Sequence, residues 1–343
     1  MKKLLNTLFV TTQGAYLCHE GESVVVRVEQ ETKLRVPIHT LGGIVCFGQV
    51  SCSHPLMGLC GERGVAISYL SERGQFFARV HGRVTGNVLL RREQYRRAEQ
   101  LEASATLARS FVIGKIANAR TVLQRAVRDH AEKGIGEDVE RAVRRLSALL
   151  EELKTDKPVE ILRGKEGEAA NIYFGVFNHL ITAQKEDFNF TVRSRRPPQD
   201  NINALLSFLY TLLVHDASAA LEGVGLDPQV GYLHALRPGR PALALDLIEE
   251  FRPFLADRLA VSLVNLKQVQ GKGFVKTESG AVEMDDETRK ALLIAYQKRK
   301  QEEIRHPFLE EDVPIGLLFH VQALLLARHL RDDLDGYPPF IWK

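Results

Sequence analysis

The apolar pattern of this chain changes period once, near residue 86, and that change constrains the fold more than any other feature. Before it, short β-branched runs recur: Ser23-Val-Val-Val-Arg-Val28, Gly43-Ile-Val-Cys-Phe47, Val65-Ala-Ile-Ser-Tyr69 and Gln75-Phe-Phe-Ala-Arg-Val80. Gly14, Glu20-Gly21, Gly48, Gly64 and Gly74 fall between them as turn signals, so the segment reads as strands joined by tight connections. Leu56 to Arg63 reads as one short helix among the strands. After Gly86, apolar residues return every three or four positions. Ala108, Phe111, Val112, Ile116, Ala119, Val122 and Leu123 share one such stripe, and Lys115 falls within it. Breaks at Gly134-Ile-Gly136 and Thr155-Asp-Lys-Pro158 divide the helical region. Further helices are predicted at 168–183, 201–222, 246–264, 285–305 and 314–331. Gln270 to Met284 reads as a small hairpin turning at Glu278-Ser-Gly280. The expected class is therefore α+β: a small N-terminal β-sandwich-like domain at 1–85, a linker at 86–92, and a larger all-α domain at 93–343.

Composition excludes several classes of function. The chain has 343 residues, 45% hydrophobic and 26% charged, with a net charge of +3. These values suit a globular protein of two domains, and bulk charge does not by itself announce nucleic acid. No apolar run approaches the ~20 residues that cross a bilayer. Leu205 to Val214 is about half that length and reads as a buried core helix. The segment Met1 to Val10 is too short and is interrupted by Asn6, so it reads as a first strand rather than a signal peptide. The expected compartment is the cytoplasm. Cys18, Cys46, Cys52 and Cys60 form no Cys-x-x-Cys and lack a His-x3-5-His companion, so they read as small buried hydrophobes. There is no Gly-x-Ser-x-Gly elbow, no Walker loop and no dinucleotide fingerprint.

Two remote stretches carry the chemistry. In Ile161-Leu-Arg-Gly-Lys-Glu-Gly-Glu168, a glycine-flanked turn is predicted to open a helix and to place Glu166 at or just before its start. In the second, His234 precedes a loop holding Pro238, Gly239 and Pro241, and a run with Asp246 and Glu249 follows. Residues three apart on a helix share a face. Asp246 lies deep in Leu243-Ala-Leu-Asp-Leu-Ile248, where an unpartnered carboxylate is costly. Two readings of these acids stand side by side. They are structural ion pairs, with Arg237 or Arg252 as partners, or they converge with His234 and Glu166 on a divalent ion. The donor set suits Mg²⁺ or Mn²⁺, a centre able to polarise a phosphodiester. Glycines beside Glu166 would let a nucleic-acid backbone come close. The extended loop Arg193-Ser-Arg-Arg-Pro-Pro-Gln-Asp200 is basic, and arginine forks suit phosphate oxygens.

Four motifs together resemble a known family. They are Arg163 to Phe174, the Arg193 or Arg195 segment into Asn203-Ala-Leu-Leu-Ser207, Gly225-Leu-Asp-Pro228 to His234, and Leu243 to Pro253. The family is the adaptation endonuclease/integrase of CRISPR spacer acquisition, the first-numbered CRISPR-associated protein. Glu249-Glu-Phe-Arg-Pro253 and Asp335-Gly-Tyr-Pro-Pro-Phe340 are most similar to its I-C subtype. The resemblance implies that Glu166, His234 and Glu249 hold the metal, with Asp246 as a further acid of the catalytic set. Many members carry Asp where Glu249 stands. Asn203 is carried over as a support residue, or as a cap of the 201–222 helix. The resemblance further implies metal-dependent strand transfer, in which a prespacer 3′-hydroxyl attacks the repeat, and cleavage of branched DNA. It implies a homodimer formed through the β domains, and a small companion protein, the second-numbered one, that bridges two dimers. Arg193, Arg195, Arg196, Arg237 and Arg240 would then hold phosphates. The competing function is a noncatalytic DNA-binding scaffold whose carboxylates are ion-paired.

Overall fold

The computed structural model describes residues 6–72, 76–80, 82, 88–129 and 136–342. The predicted breaks at Gly74, Gly86 and Gly134-Ile135 lie outside the described residues. Strands β1 (Asn6–Val10), β5 (Leu41–Phe47), β7 (Ala66–Leu70) and β8 (Phe76–Val80) form one four-stranded sheet in that order. Strands β4 (Glu31–Pro37), β3 (Ser23–Val28), β2 (Tyr16–Glu20) and β6 (Ser51–Cys52) form a second. The first is parallel through β1, β5 and β7 and antiparallel at β8. The second is antiparallel through β2, β3 and β4.

Alternation sends every second side chain of a strand to one face. Leu17, Val24 and Val26 of the second sheet thus share a core with Ile44, Cys46 and Ile67 of the first. Leu56 and Cys60 of helix α1 (His54–Arg63) close it. Helix α1 begins where the Ser53 side chain accepts the Leu56 N–H, and it ends at Gly64, whose φ of 69° is the left-handed region glycine tolerates. Cys46 and Cys60 are buried, Cys18 and Cys52 half-buried, and all four are free thiols.

The second compact unit is helical. It holds α2 (Val88–Glu99), α3 (Leu101–Asp129), α4 (Glu137–Glu152), α5 (Val159–Gly175), α6 (Asn201–Val224), α7 (Ala242–Ile248) and α8 (Arg258–Asn265). After the hairpin β9 (Phe274–Lys276) and β10 (Val282–Met284), helix α9 (Asp286–Gln301) belongs instead with the strand unit. There Arg289 donates to the Glu72 carbonyl. The chain then returns to the helical unit for the closing helix α10 (Leu318–Leu330). Helix α6 is long and apolar enough to cross a membrane by length and composition. Here Leu205, Leu206, Leu209, Leu212 and Leu213 are buried, and it packs against α7, α8 and α10.

Three boundaries differ from the expectation, each for a physical reason. Helix α5 begins at Val159, so Glu166 sits inside it rather than at its start. Val159, Leu162, Ala169 and Tyr173 bury one face and carry the helix through both glycines. The run expected at 246–264 is interrupted: α7 ends at Ile248, a π-helical turn spans Arg252–Asp257, and α8 follows. Pro253, at the start of that turn, cannot donate to the preceding helix. Finally, residues 88–92 of the expected linker are the first turn of α2.

Candidate metal centre and nucleic-acid interface

Asp246 is the anchor of the site. It projects from α7 and is fully buried. One oxygen, Oδ2, accepts the backbone N–H of Tyr232 at 2.6 Å and of Leu233 at 3.0 Å. The other, Oδ1, accepts the His234 N–H at 2.9 Å and faces His234 Nδ1 at 2.7 Å. A carboxylate facing Nδ1 makes that nitrogen the N–H donor, which leaves a lone pair on Nε2. Nε2 points towards Glu249 Oε1, 3.7 Å away. Carboxylate–imidazole pairs of this kind fix both tautomer and ring plane in metal sites. The approach depends on Gly231: a Cβ there would meet Asp246 Oδ2 and the Ala242 backbone carbon at 2.6 Å each.

Glu249 follows α7 directly and is 1% exposed. Its Oε1 lies 3.0 Å from the Arg252 guanidinium, and its Oε2 lies 2.7 Å from Lys115 Nζ. Burial alone would push this carboxyl up. The charges of Arg252 and Lys115 outweigh burial and hold it well below the usual carboxylate range. Lys115 reaches in from α3 and also pairs with Glu166 of α5. The site thus draws on α3, α5, α7 and the 231–234 stretch, all within the helical unit.

That stretch is held from behind. Gln94 of α2, fully buried, donates to the carbonyls of Asp227 and Val230 at 2.7 and 2.9 Å and accepts the Asp227 N–H. The Tyr95 hydroxyl donates to Asp227 Oδ2 at 2.6 Å. Arg163 Nε, three residues before Glu166, donates to the Leu233 carbonyl at 2.5 Å. This bond ties the helix of Glu166 to the segment of His234.

The donors fit a divalent ion. Lys115 lies close to Glu249 Oε2, but that buried oxygen has no well-directed hydrogen bond, and the His234 lone pair is aimed at the same carboxylate. One nitrogen and carboxylate oxygens suit Mg²⁺ or Mn²⁺. Among the described residues, no three His, Cys, Asp or Glu side chains are closed around a common point. Lys115 stands between Glu166 and Glu249 instead.

The expected basic residues divide into two groups. Arg195, Arg196 and Arg237 are exposed and Arg240 is half-buried. Burial, then the charges of Arg237, Arg163 and Arg196, hold the Arg240 guanidinium below its ordinary value, so these four arginines feel one another's charge. Arg195 lines a small cavity shared with Lys115 and Arg252. Arg193, also expected to hold phosphate, is half-buried. Its guanidinium donates to Asn203 Oδ1 at 2.6 Å and Ser207 Oγ at 3.1 Å, and it lies over the Tyr210 ring. It therefore braces the basic loop from inside. Asn203 completes the brace, accepting the Ser194 N–H and donating to the Val192 carbonyl. The cap of α6 is Asp200, which accepts the Asn203 N–H at 2.7 Å.

With this geometry in place, comparison with known proteins is decisive. The family model for CRISPR associated protein Cas1 matches residues 8–298. The chain is 55% identical to the CRISPR-associated endonuclease Cas1 1 of Chlorobaculum tepidum, over all of both chains. This chain belongs to the CRISPR-associated Cas1 family. Another Cas1, from Rhodospirillum rubrum, is 51% identical over the full length of both chains. Among solved structures, a Cas1 protein from Thermotoga maritima shares the fold with a TM-score of 0.80 at 22% identity, over 95% of this chain and 97% of that one. A casposase bound to integration product matches with a TM-score of 0.84 at 21% identity, over 99% and 95%. The Cas1 fold, β-rich first and helical after, is the α+β class expected from the sequence. Arg163, Gln94, Gly231 and Lys115 join this candidate site although the sequence assigned none of them a role. Lys115 stood there as a charge inside an apolar stripe, and Arg163 as the first residue of a motif.

Proposed function

We propose that this Cas1 chain is a divalent-metal-dependent DNA endonuclease and integrase of spacer acquisition, joining prespacer 3′-hydroxyls to the CRISPR repeat. The observation that carries this reading is Glu249, which lies 3.7 Å from His234 Nε2 and shares Lys115 with Glu166. Support also comes from relatives named as endonucleases. Glu166, His234 and Glu249 would hold Mg²⁺ or Mn²⁺, which when bound polarises a phosphodiester. Asp246 orients His234 and keeps its Nε2 free of the proton. Arg195, Arg196, Arg237 and Arg240 would position phosphates without reading sequence. Gly164 and Gly167 flank Glu166, and nothing lies within 4 Å of where their side chains would be. A DNA backbone would have room there.

In the same reading the helical unit catalyses and the strand unit makes a homodimer. Support for the dimer is strand β8, whose Phe76 and Phe77 are 57% and 61% exposed at the edge of its sheet. A small second-numbered companion protein would join two dimers. A structural neighbour comes from a Cas6-RT-Cas1–Cas2 complex, which supports that partner. The likeness to the I-C subtype rests on Glu249 to Pro253 and Asp335 to Phe340.

The reading is tested with branched DNA in Mg²⁺ or Mn²⁺. Glu166→Ala is expected to lower cleavage and strand transfer by at least about 100-fold, near the upper end of measured losses for metal-site supports. Undiminished activity in that variant removes Glu166 from the mechanism. The ion pairs of Glu249 with Lys115 and Arg252 favour a second reading, a noncatalytic DNA-binding scaffold. It predicts that His234→Ala lowers thermal stability and leaves every DNA activity unchanged.

A further inference from the structure

Lys115 occupies an unusual position for a lysine. It lies on the buried face of α3 among Phe111, Val112, Ile116 and Ala119, and its side chain is 9% exposed. An ammonium taken out of water is tolerated only with close counter-charges. Lys115 has two: Glu166 on α5, and Glu249 Oε2 at 2.7 Å. These are two of the three side chains read above as metal ligands, and they approach Nζ from different elements. The backbone beside Lys115 is fixed. A Cβ on Gly114 would come within 2.9 Å of Glu250 Cγ and 3.2 Å of Pro339 Cβ, so α3 lies hard against that wall. Lys115 therefore delivers one positive charge to a set point between two carboxylates that would otherwise repel each other.

We infer that Lys115 is a tethered counter-ion that competes with the divalent metal for Glu166 and Glu249, holding the ligands in place without metal and weakening metal affinity. This rests on the proposed ligand set. Three consequences follow from charge alone. The carboxylates stay gathered in the metal-free protein rather than splaying apart. The metal must displace the ammonium, so its affinity is lower than the bare ligand set would give. Removing the lysine charge exchanges stability of the metal-free protein for tighter metal binding.

The test is titration of Mn²⁺ into the DNA-free protein, read by calorimetry, together with the rise in Tm on adding Mn²⁺. Lys115→Met is expected to lower the Kd for Mn²⁺ by tenfold or more, to lower the metal-free Tm, and to show a larger Mn²⁺-induced rise than the parent protein. Lys115→Arg, which keeps the charge, is expected to bind Mn²⁺ within about threefold of the parent. If Lys115→Met is too unstable to handle free of metal, it is purified in Mn²⁺ and its dissociation rate into chelator is compared with the parent's; slower release is expected. Unchanged or weaker Mn²⁺ binding by Lys115→Met, in a parent that binds Mn²⁺ through Glu166, overturns the inference and leaves the proposed function standing. A parent whose Mn²⁺ binding is absent, or is indifferent to Glu166→Ala, overturns both.

Discussion

Asp246 serves two functions with one carboxylate. It collects three successive backbone N–H groups from Tyr232, Leu233 and His234, and it fixes the imidazole. An amide of the same shape cannot accept all of these bonds, and its NH₂ would meet donors. Asp246→Asn is therefore expected to destabilise by about 1–3 kcal/mol or more, the cost of leaving buried donors unsatisfied. It should also weaken Mn²⁺ binding by roughly 10–100-fold, as loss of a ligand-orienting group does. Chemical denaturation and Mn²⁺ titration read the two effects separately, and an unaffected metal affinity would show that His234 does not need its anchor. Glu249 shows the complementary logic. A fully buried carboxylate stays ionised because Arg252 and Lys115 surround it. The charges that would keep it ionised as a ligand also make it resemble an ordinary ion pair. That ambiguity was already present in the sequence and is inherent in the chemistry.

At the scale of elements, the basic loop is held by α6. Asp200 caps that helix, and the fully buried Asn203 side chain joins it to Val192, Arg193 and Ser194. Asn203→Ala is expected to leave the cap intact and release the loop, at a cost of about 1–3 kcal/mol. Hydrogen exchange should rise at 192–196 and stay unchanged in the body of α6, whereas uniform protection would contradict the brace. The elements also show what could be read from the chain. The strand repeats before residue 86 and the stripe on α3 follow from burial of one face, so their periodicity was visible. Glu166, His234, Asp246 and Glu249 were legible because polar residues in apolar or glycine-flanked runs need a reason. Other features were hidden by tertiary packing. Gly164 and Gly167 each cost a helix about 1 kcal/mol relative to Ala, a signal for a turn, yet the buried face of α5 overrides it. No local pattern tells α9 to join the strands. Nor does the sequence say that Arg193 turns inward, because that depends on Asn203 and Tyr210 lying beneath it. Pro253 did announce the break after Glu249, but an apolar run on both sides masked it.

At the scale of the molecule, the C-terminal segment is fastened to the site's rear wall. Glu250 is buried and accepts the Phe340 N–H at 2.7 Å, the Tyr337 hydroxyl at 2.7 Å and the Gln322 amide at 2.9 Å. Asn118 of α3 adds bonds to the carbonyls of Glu250 and Phe340. Burial pushes the Glu250 carboxyl up from 4.5 to about 8, against the pull of those three donors. A carboxyl raised on folding contributes stability that is complete below its unfolded value and is lost as pH rises through the folded one. Tm is thus expected to fall between about pH 4.5 and 8, by an amount equivalent to a few kcal/mol. Glu250→Gln should flatten that slope, and an equally steep slope in the variant would place its origin elsewhere. The proposed activity requires one ion shared between remote segments. Its most direct test is a crystal grown in Mn²⁺, examined by anomalous scattering. The predicted result is a single strong peak about 2 Å from the carboxylates of Glu166 and Glu249 and from His234 Nε2, with Lys115 Nζ moved away from both acids. A peak that avoids these residues, with Lys115 still bridging Glu166 and Glu249, would contradict it.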